Sequence, residues 1–265
     1  MTQTTNILDD LRVRLLIADA YAIDPQDLDV LQRVVFAGLS PALHTKIDQL
    51  QTGYPLDYLL SQVIISGLTL SFTSDVFIVR PETQYWINLV FHKYKSSFAA
   101  TNTIVDLCTG SGFISLKAAQ AFGNTKNIIA GDISEKTLTV AQANAVKNNI
   151  NCVQFVQSDG LKNIYPHISK PWILLCNPPY VPTEFEPSVQ FEPALAIYSG
   201  DDGLDFFRKL LTQLDRNNLP THAFFELDPR NISTADKLVI NTFATVKTIV
   251  FNDQNNLARV LVVTF

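Results

Sequence analysis

Between Thr103 and Leu227 five short apolar runs recur: TIVDLC, NIIAGD, CVQFVQ, WILLCN and AFFEL. Helix-forming stretches begin near Gly112, Ser134, Gly203 and Pro229, after four of them. Strands that alternate with helices in this way form a mostly parallel sheet covered on both faces. The last two runs, VKTIVFND and ARVLVVTF, are joined by a short Asn-rich turn and predict an antiparallel pair at one edge. The expected fold is therefore an α/β, Rossmann-like sheet of seven strands.

The preceding residues follow other periods. Ile7, Leu8, Leu11, Leu15 and Ile17 give a helix-like apolar spacing. Asp24-Pro25 and Ser40-Pro41 each read as a cap followed by a first helical residue. From Val63 to Val79 the period moves towards two, with Ser74-Asp75 as a turn between strands. Arg80-Pro81-Glu82-Thr83 then opens another helix. The expected organisation is a helical substrate-recognition domain over residues 1–60, a β-hairpin linker over 61–82, and a catalytic domain over 83–265.

Composition narrows the function classes. Hydrophobic residues make up 47% and charged ones only 17%, which argues against disorder. The net charge of −5 suits a nucleic-acid backbone poorly. The first thirty residues lack the apolar block of a signal peptide, and no apolar stretch reaches membrane-spanning length. Three cysteines and four histidines are scattered, with no zinc or disulfide spacing. A cytoplasmic, metal-free, monomeric protein without stable nucleic-acid or membrane binding is expected.

The first strand runs into Asp106-Leu107-Cys108-Thr109-Gly110-Ser111-Gly112. Glycines here let the backbone turn sharply and approach a ligand. The third glycine of a dinucleotide fingerprint is absent, so the loop alone reads equally well as a tight turn. Asp132 ends the next strand, twenty residues after Gly112. An acid at that place can accept both hydroxyls of a ribose; capping the following helix is the structural alternative. Asp159 and Gly160 follow the third strand, where an adenine ring or a plain turn would sit.

The fourth strand ends in Asn177-Pro178-Pro179-Tyr180. In a doubly wound sheet the first and fourth strands flank the switch point, so this loop emerges beside the glycines. The Asn177 side-chain oxygen and the Pro178 carbonyl are acceptors held by two stiff residues, and Tyr180 offers a flat face. Such a loop would hold a planar NH2 by its two hydrogens. That fits methyl transfer from S-adenosylmethionine, where the electrophile is built into the cofactor. Cys108 and Cys176 end the same two strands and read as packed thiols or as a redox-sensitive pair.

These residues resemble the release factor glutamine methyltransferases. The likeness runs through GYPLDYLL, GLTLSF, DVFIVRPET, DLCTGSG, GDIS, NPPYVP, Phe191-Glu192-Pro193 and Gly200-Asp201-Asp202-Gly203-Leu204. It implies a class I methyltransferase domain and methylation of the glutamine amide in the Gly-Gly-Gln motif of class I peptide release factors. It implies that Asn177 and Pro178 hold that amide while Tyr180 packs on it, with Pro179 in the same substrate loop. It implies that Cys108, Thr109, Gly110, Ser111, Gly112, Asp132, Asp159, Gly160 and Asn177 surround S-adenosylmethionine. Departures from the family pattern are Cys108 for Gly, Val79 for Pro before Arg80, Gln84 for Glu, and Glu226-Leu227-Asp228 for Glu-Ile-Gly. Rival readings are a methyltransferase for the adenine amino group of DNA or RNA, a glutamine methyltransferase for a ribosomal protein, and a non-catalytic cofactor-binding scaffold.

Overall fold

A computed structural model describes residues 7–183 and 187–265; the first six residues of the predicted helical domain lie outside it. The chain divides into two compact units. One comprises residues 1–64 and 71–73, the other 65–70 and 74–265.

The first unit contains α1 (Leu11–Tyr21), α2 (Leu28–Ala37), α3 (Pro41–Gln51) and the single turn α4 (Leu56–Leu59). Ser40 caps α3 with Pro41 behind it, as predicted. Asp24-Pro25 does not open a helix. The Asp24 carboxylate instead accepts from the Gln26 amide in a turn, and Asp27 caps α2. Asp10 caps α1 by accepting from the Arg12 amide, so the helix starts at Leu11. The buried stripe then falls on Val13, Leu16 and Ile17, while Leu11 is 56% exposed. Of the predicted spacing, Leu8 and Ile17 are buried and Ile7 and Leu15 half-buried, but Leu11 turns outward because the helix that Asp10 caps puts Val13 and Leu16 in the stripe instead.

The hairpin is shorter than its sequence period suggests. Strands β1 (Val63–Ile65) and β2 (Leu68–Leu70) pair around Ser66-Gly67. Ser74-Asp75 does turn, but no strand follows, and residues 71–79 run as coil.

In the second unit, α5 (Pro81–Lys93) and α6 (Lys95–Ala100) precede β3 (Thr103–Leu107). Then come α7 (Phe113–Phe122), β4 (Asn127–Asp132), α8 (Glu135–Lys147), β5 (Val153–Gln157), β6 (Trp172–Cys176), α9 (Asp205–Gln213), β7 (His222–Glu226), α10 (Ile232–Thr242), β8 (Lys247–Asn252) and β9 (Ala258–Thr264). The seven-stranded sheet has the order β5-β4-β3-β6-β7-β9-β8. Strands β3 to β7 run parallel, and β9 inserts antiparallel between β7 and β8.

β3 and β6 are buried at every position because helices cover both of their faces. Val105, Leu107, Leu174 and Phe225 pack with Phe207, Leu210 and Val239 of α9 and α10. Phe98 of α6 stacks on Phe224, whose neighbours in β7 point the other way, 5.9 Å between ring centroids. Burial of whole aromatic rings on both faces fixes the register, since a one-residue slip would exchange the faces. The order reverses at β3, so the ends of β3 and β6 form the crevice of the sheet.

Candidate functional site

Leu107 of β3 is the register partner of Cys176 of β6. The next residues, Cys108 and Asn177, therefore leave the sheet side by side. A cavity of about 500 Å³ opens above them. Its lining includes Cys108, Thr109, Gly110, Ser111, Asp132, Asp159, Gly160 and all of Asn177-Pro178-Pro179-Tyr180. One sequence-predicted residue stands apart. Gly112 does not line the cavity but stands immediately before α7 with φ +85°, where a Cβ would lie 3.2 Å from the Ala141 Cβ. Its role is close packing of α7 on α8.

The glycine loop is held from below. The Asp106 carboxylate accepts from the Thr109 hydroxyl at 2.6 Å and the Ser115 amide at 2.9 Å. Its Oδ1 is buried without a partner among the described residues. Burial pushes this carboxyl up to about 7 against those two donors. Asp132 is not a helix cap; Ser134 takes that place. Asp132 accepts from the Gly110 amide at 3.1 Å and the Ser134 amide at 3.0 Å, tying the glycine loop to the end of β4. Burial raises its pKa, and those amides oppose the rise. Asp159 forms ion pairs with Lys162, at 2.8 Å, and with Lys209. Cys108 and Cys176 are both free. Hydrogen bonding with Cys176, then burial, raises the Cys108 thiol well above its ordinary value. A protonated thiol is a poor nucleophile.

The far wall comes from residues 75–83. Glu192, 8% exposed, accepts from the Ile78 amide at 2.9 Å and pairs with Arg80. The Arg80 guanidinium in turn lies 4.6 Å from the Phe77 ring centroid. These contacts hold the wall although Val79 replaces the expected proline. Gln84 accepts from the Ser66 hydroxyl at 3.0 Å.

Beneath the Asn-Pro-Pro-Tyr loop lies a group that the sequence reading missed. Glu226, fully buried at the end of β7, accepts from Trp86 Nε1 at 2.6 Å, Thr83 Oγ1 at 2.7 Å and the Tyr180 hydroxyl at 3.2 Å. Asn177 Nδ2 donates to Thr83 Oγ1 at 3.3 Å. Burial raises the pKa of Glu226, and raises that of Tyr180 further, with the nearby Glu226 charge adding to it. The available signal was the pattern itself. An acid closes the apolar run AFFEL as Asp132 closes NIIAGD.

Among the described residues no helix is long and apolar enough to cross a membrane. No group of three or more His, Cys, Asp or Glu among them could hold a metal ion.

Residues 88–189 match the methyltransferase small domain family. A release factor glutamine methyltransferase of Bacillus subtilis is 30% identical over 226 residues, covering 81% of this chain and 77% of that one. The chain belongs to the release factor glutamine methyltransferase family. A second member, from Deinococcus radiodurans, is 31% identical over 186 residues, 68% of this chain and 64% of that one. The aligned part thus spans just under two thirds of that relative. A ribosomal protein uL3 glutamine methyltransferase of Francisella tularensis is 30% identical over 167 residues, 61% and 52% of the two chains. Among solved structures, the hMettl16 catalytic domain in complex with a MAT2A 3′UTR hairpin superimposes with a TM-score of 0.58 at 16% identity, over 83% of this chain and 91% of that one. That likeness establishes the class I methyltransferase fold of the sheet.

Proposed function

We propose that the chain methylates the side-chain amide nitrogen of the glutamine in the Gly-Gly-Gln motif of class I peptide release factors, using S-adenosylmethionine. One observation carries the reading. Asn177 Oδ1 and the Pro178 carbonyl accept no hydrogen bond among the described residues, and both residues line the same cavity as the glycine loop. Two free acceptors on a stiff loop match the two N–H groups of a primary amide.

The residues present also fit the cofactor. Apart from its chain neighbours, no atom lies within 4 Å of where a Gly110 side chain would begin, so the loop leaves room for a ligand against its backbone. Asp132 lines the cavity beside that loop with an acceptor-only carboxylate, suited to ribose hydroxyls. Thr109, Ser111 and Cys108 would complete the cradle, with Asp159 and Gly160 towards an adenine ring. When bound, S-adenosylmethionine would supply an electrophilic methyl group on a sulfonium sulfur that can leave as a neutral thioether.

The protein's part is orientation and polarity. An amide nitrogen is a weak nucleophile because its lone pair is shared with the carbonyl. Acceptors on both N–H groups favour a pyramidal nitrogen with more of that pair on it, and Tyr180 would pack on the rest of the side chain. Holding the nitrogen in line removes much of the entropic barrier. The first unit would serve release-factor capture. A cytoplasmic site of action follows from such a substrate.

A second reading is favoured by the Francisella relative: a glutamine of ribosomal protein uL3 as the acceptor. Labelled methyl transfer to an intact release factor, to its Gln→Asn variant, to uL3 and to nucleic acid separates the readings. Label should enter the release factor and vanish in its variant. Label on uL3 alone, or on nucleic acid, would overturn the proposal.

Two further results are expected. Asp132→Ala should weaken S-adenosylmethionine binding about ten- to a hundredfold, the worth of hydrogen bonds to a charged group. Calorimetry reads it, and an unchanged Kd would reduce Asp132 to a brace for Gly110. Deleting residues 1–60 should spare cofactor binding but raise KM for intact release factor. Equal KM in the two chains would remove the first unit from recognition.

A further inference from the structure

We infer that Thr83, anchored on Glu226, sets the orientation of the Asn177 side-chain amide and so decides which of its atoms meets the substrate. The inference rests on the amide methyl transfer proposed above and adds positioning residues to it.

An Asn side chain can present its oxygen or its NH2 by a half-turn about χ2, and the two ends are nearly the same shape. Only the oxygen serves a substrate NH2. Something in the protein must therefore distinguish the two states, and the polar groups beneath the loop do so by elimination. Trp86 Nε1 can only donate, and it lies 2.6 Å from Glu226 Oε2, so that oxygen is an acceptor. Thr83 Oγ1 lies 2.7 Å from the same oxygen and has one proton, which goes to it. What Thr83 turns towards Asn177 is then a lone pair. At 3.3 Å this position takes a donor, so Nδ2 faces Thr83 and Oδ1 is left for the cavity. The opposite state would set two lone pairs against each other.

Burial gives this preference its force. Thr83 is 3% exposed, and Trp86 and Glu226 are 0% exposed. No water competes for their bonds, so a mismatched pair there costs its full desolvation. The same carboxylate receives the Tyr180 hydroxyl through its other oxygen. The first and last residues of the Asn-Pro-Pro-Tyr loop thus share one anchor at the end of β7.

Thr83→Val keeps the shape of the side chain and removes the hydroxyl, while Thr83→Ser keeps the hydroxyl. With the acceptor gone, Asn177 can turn its NH2 towards the incoming NH2. The expected result is a fall in kcat of about ten- to a hundredfold for Thr83→Val. The Kd for S-adenosylmethionine should stay near that of the parent, the thermal midpoint should fall by a few degrees because buried Glu226 loses a donor, and Thr83→Ser should recover most of the rate. A parental kcat in Thr83→Val overturns the inference, and so does a Thr83→Ser variant as slow as Thr83→Val.

A second measurement depends neither on activity nor on the folding of the Thr83 variants. In 15N-labelled parent protein the Asn177 NH2 signals are identified by their loss in Asn177→Asp. A hydrogen-bonded, slowly exchanging proton on Nδ2 is expected, and fast exchange of both protons overturns the inference. If that bond is present but the parent methylates no glutamine, the proposed activity fails and the positioning stands.

Discussion

Asn177→Ala should lower methyl transfer by about a hundred- to a thousandfold, the cost typical of removing one preorganised polar group from a reacting centre. The substitution deletes the free Oδ1, one of two acceptors proposed for the substrate amide. It also leaves Thr83 Oγ1 without its donor from the loop. Asn177 would touch the cofactor only at its edge; the cradle proposed for it comes chiefly from the turn after β3 and from Asp132, and the Gly110–Asp132 bond does not involve Asn177. S-adenosylmethionine affinity should therefore change little. Single-turnover transfer to release factor, with calorimetry for the cofactor, separates the two effects. Turnover within a few-fold of the parent would mean that Pro178 and packing suffice and that the side-chain acceptor is misassigned. A parallel loss of cofactor affinity would mean that the residue acts on binding and not on the amide.

Gly203→Ala should be nearly as damaging, although Gly203 does not line the cavity. Its backbone has φ +76°, a region that costs an L-residue about 1–2 kcal/mol. A Cβ there would also overlap the Tyr180 carbonyl oxygen, with Asn231 Nδ2 2.8 Å away. Asn231 Nδ2 donates to that carbonyl at 2.9 Å, so the tail of the Asn-Pro-Pro-Tyr loop is pinned at this point. The obstruction is backbone rather than a mobile side-chain tip, and relief requires moving the loop. Overpacking of this kind adds about 1–3 kcal/mol to the conformational strain. A thermal midpoint several degrees lower, and a kcat down by about a hundredfold from loop displacement, are expected. A variant with parental midpoint and rate would show that the loop absorbs a methyl group freely and is not held in one geometry.

The return segment explains why such a distant glycine matters. After Tyr180 the chain makes one isolated bridge, Val181 to Tyr198, with the Val181 amide donating to the Ile197 carbonyl at 2.9 Å. Ile197, Pro193 and Val189 then line the cavity. The loop is thus fixed at its start by β6 and at its end, Tyr180, by Glu226, Asn231 and this bridge.

Much of the sheet was legible because its signals are local. Fully apolar runs of five or six residues, each closed by a turn, specify buried strands whatever surrounds them. The glycines and the acid after the first two strands mark one edge of the sheet by position alone. Asn177-Pro178-Pro179-Tyr180 was legible for the same reason: two prolines fix the backbone and leave its carbonyls free without help from elsewhere. Phase and termination were less legible. The buried stripe of α1 and the start of α2 depended on whether an aspartate capped a helix or closed a turn. Asp10 and Asp24 can each do either, and the difference lies in which amide comes within reach.

The sequence by itself determined the α/β class, the strand ends at which chemistry can occur, and the acceptors offered by a proline-stiffened loop. Only the tertiary structure decided that Thr83, Asn177 and Glu226 form one chain of hydrogen bonds, since they lie 94 and 143 residues apart along the sequence. Periodicity and turn chemistry act over a few residues. A buried carboxylate acquires its partners only when sheet register and helix packing have brought distant donors to it and excluded the water that would otherwise serve them.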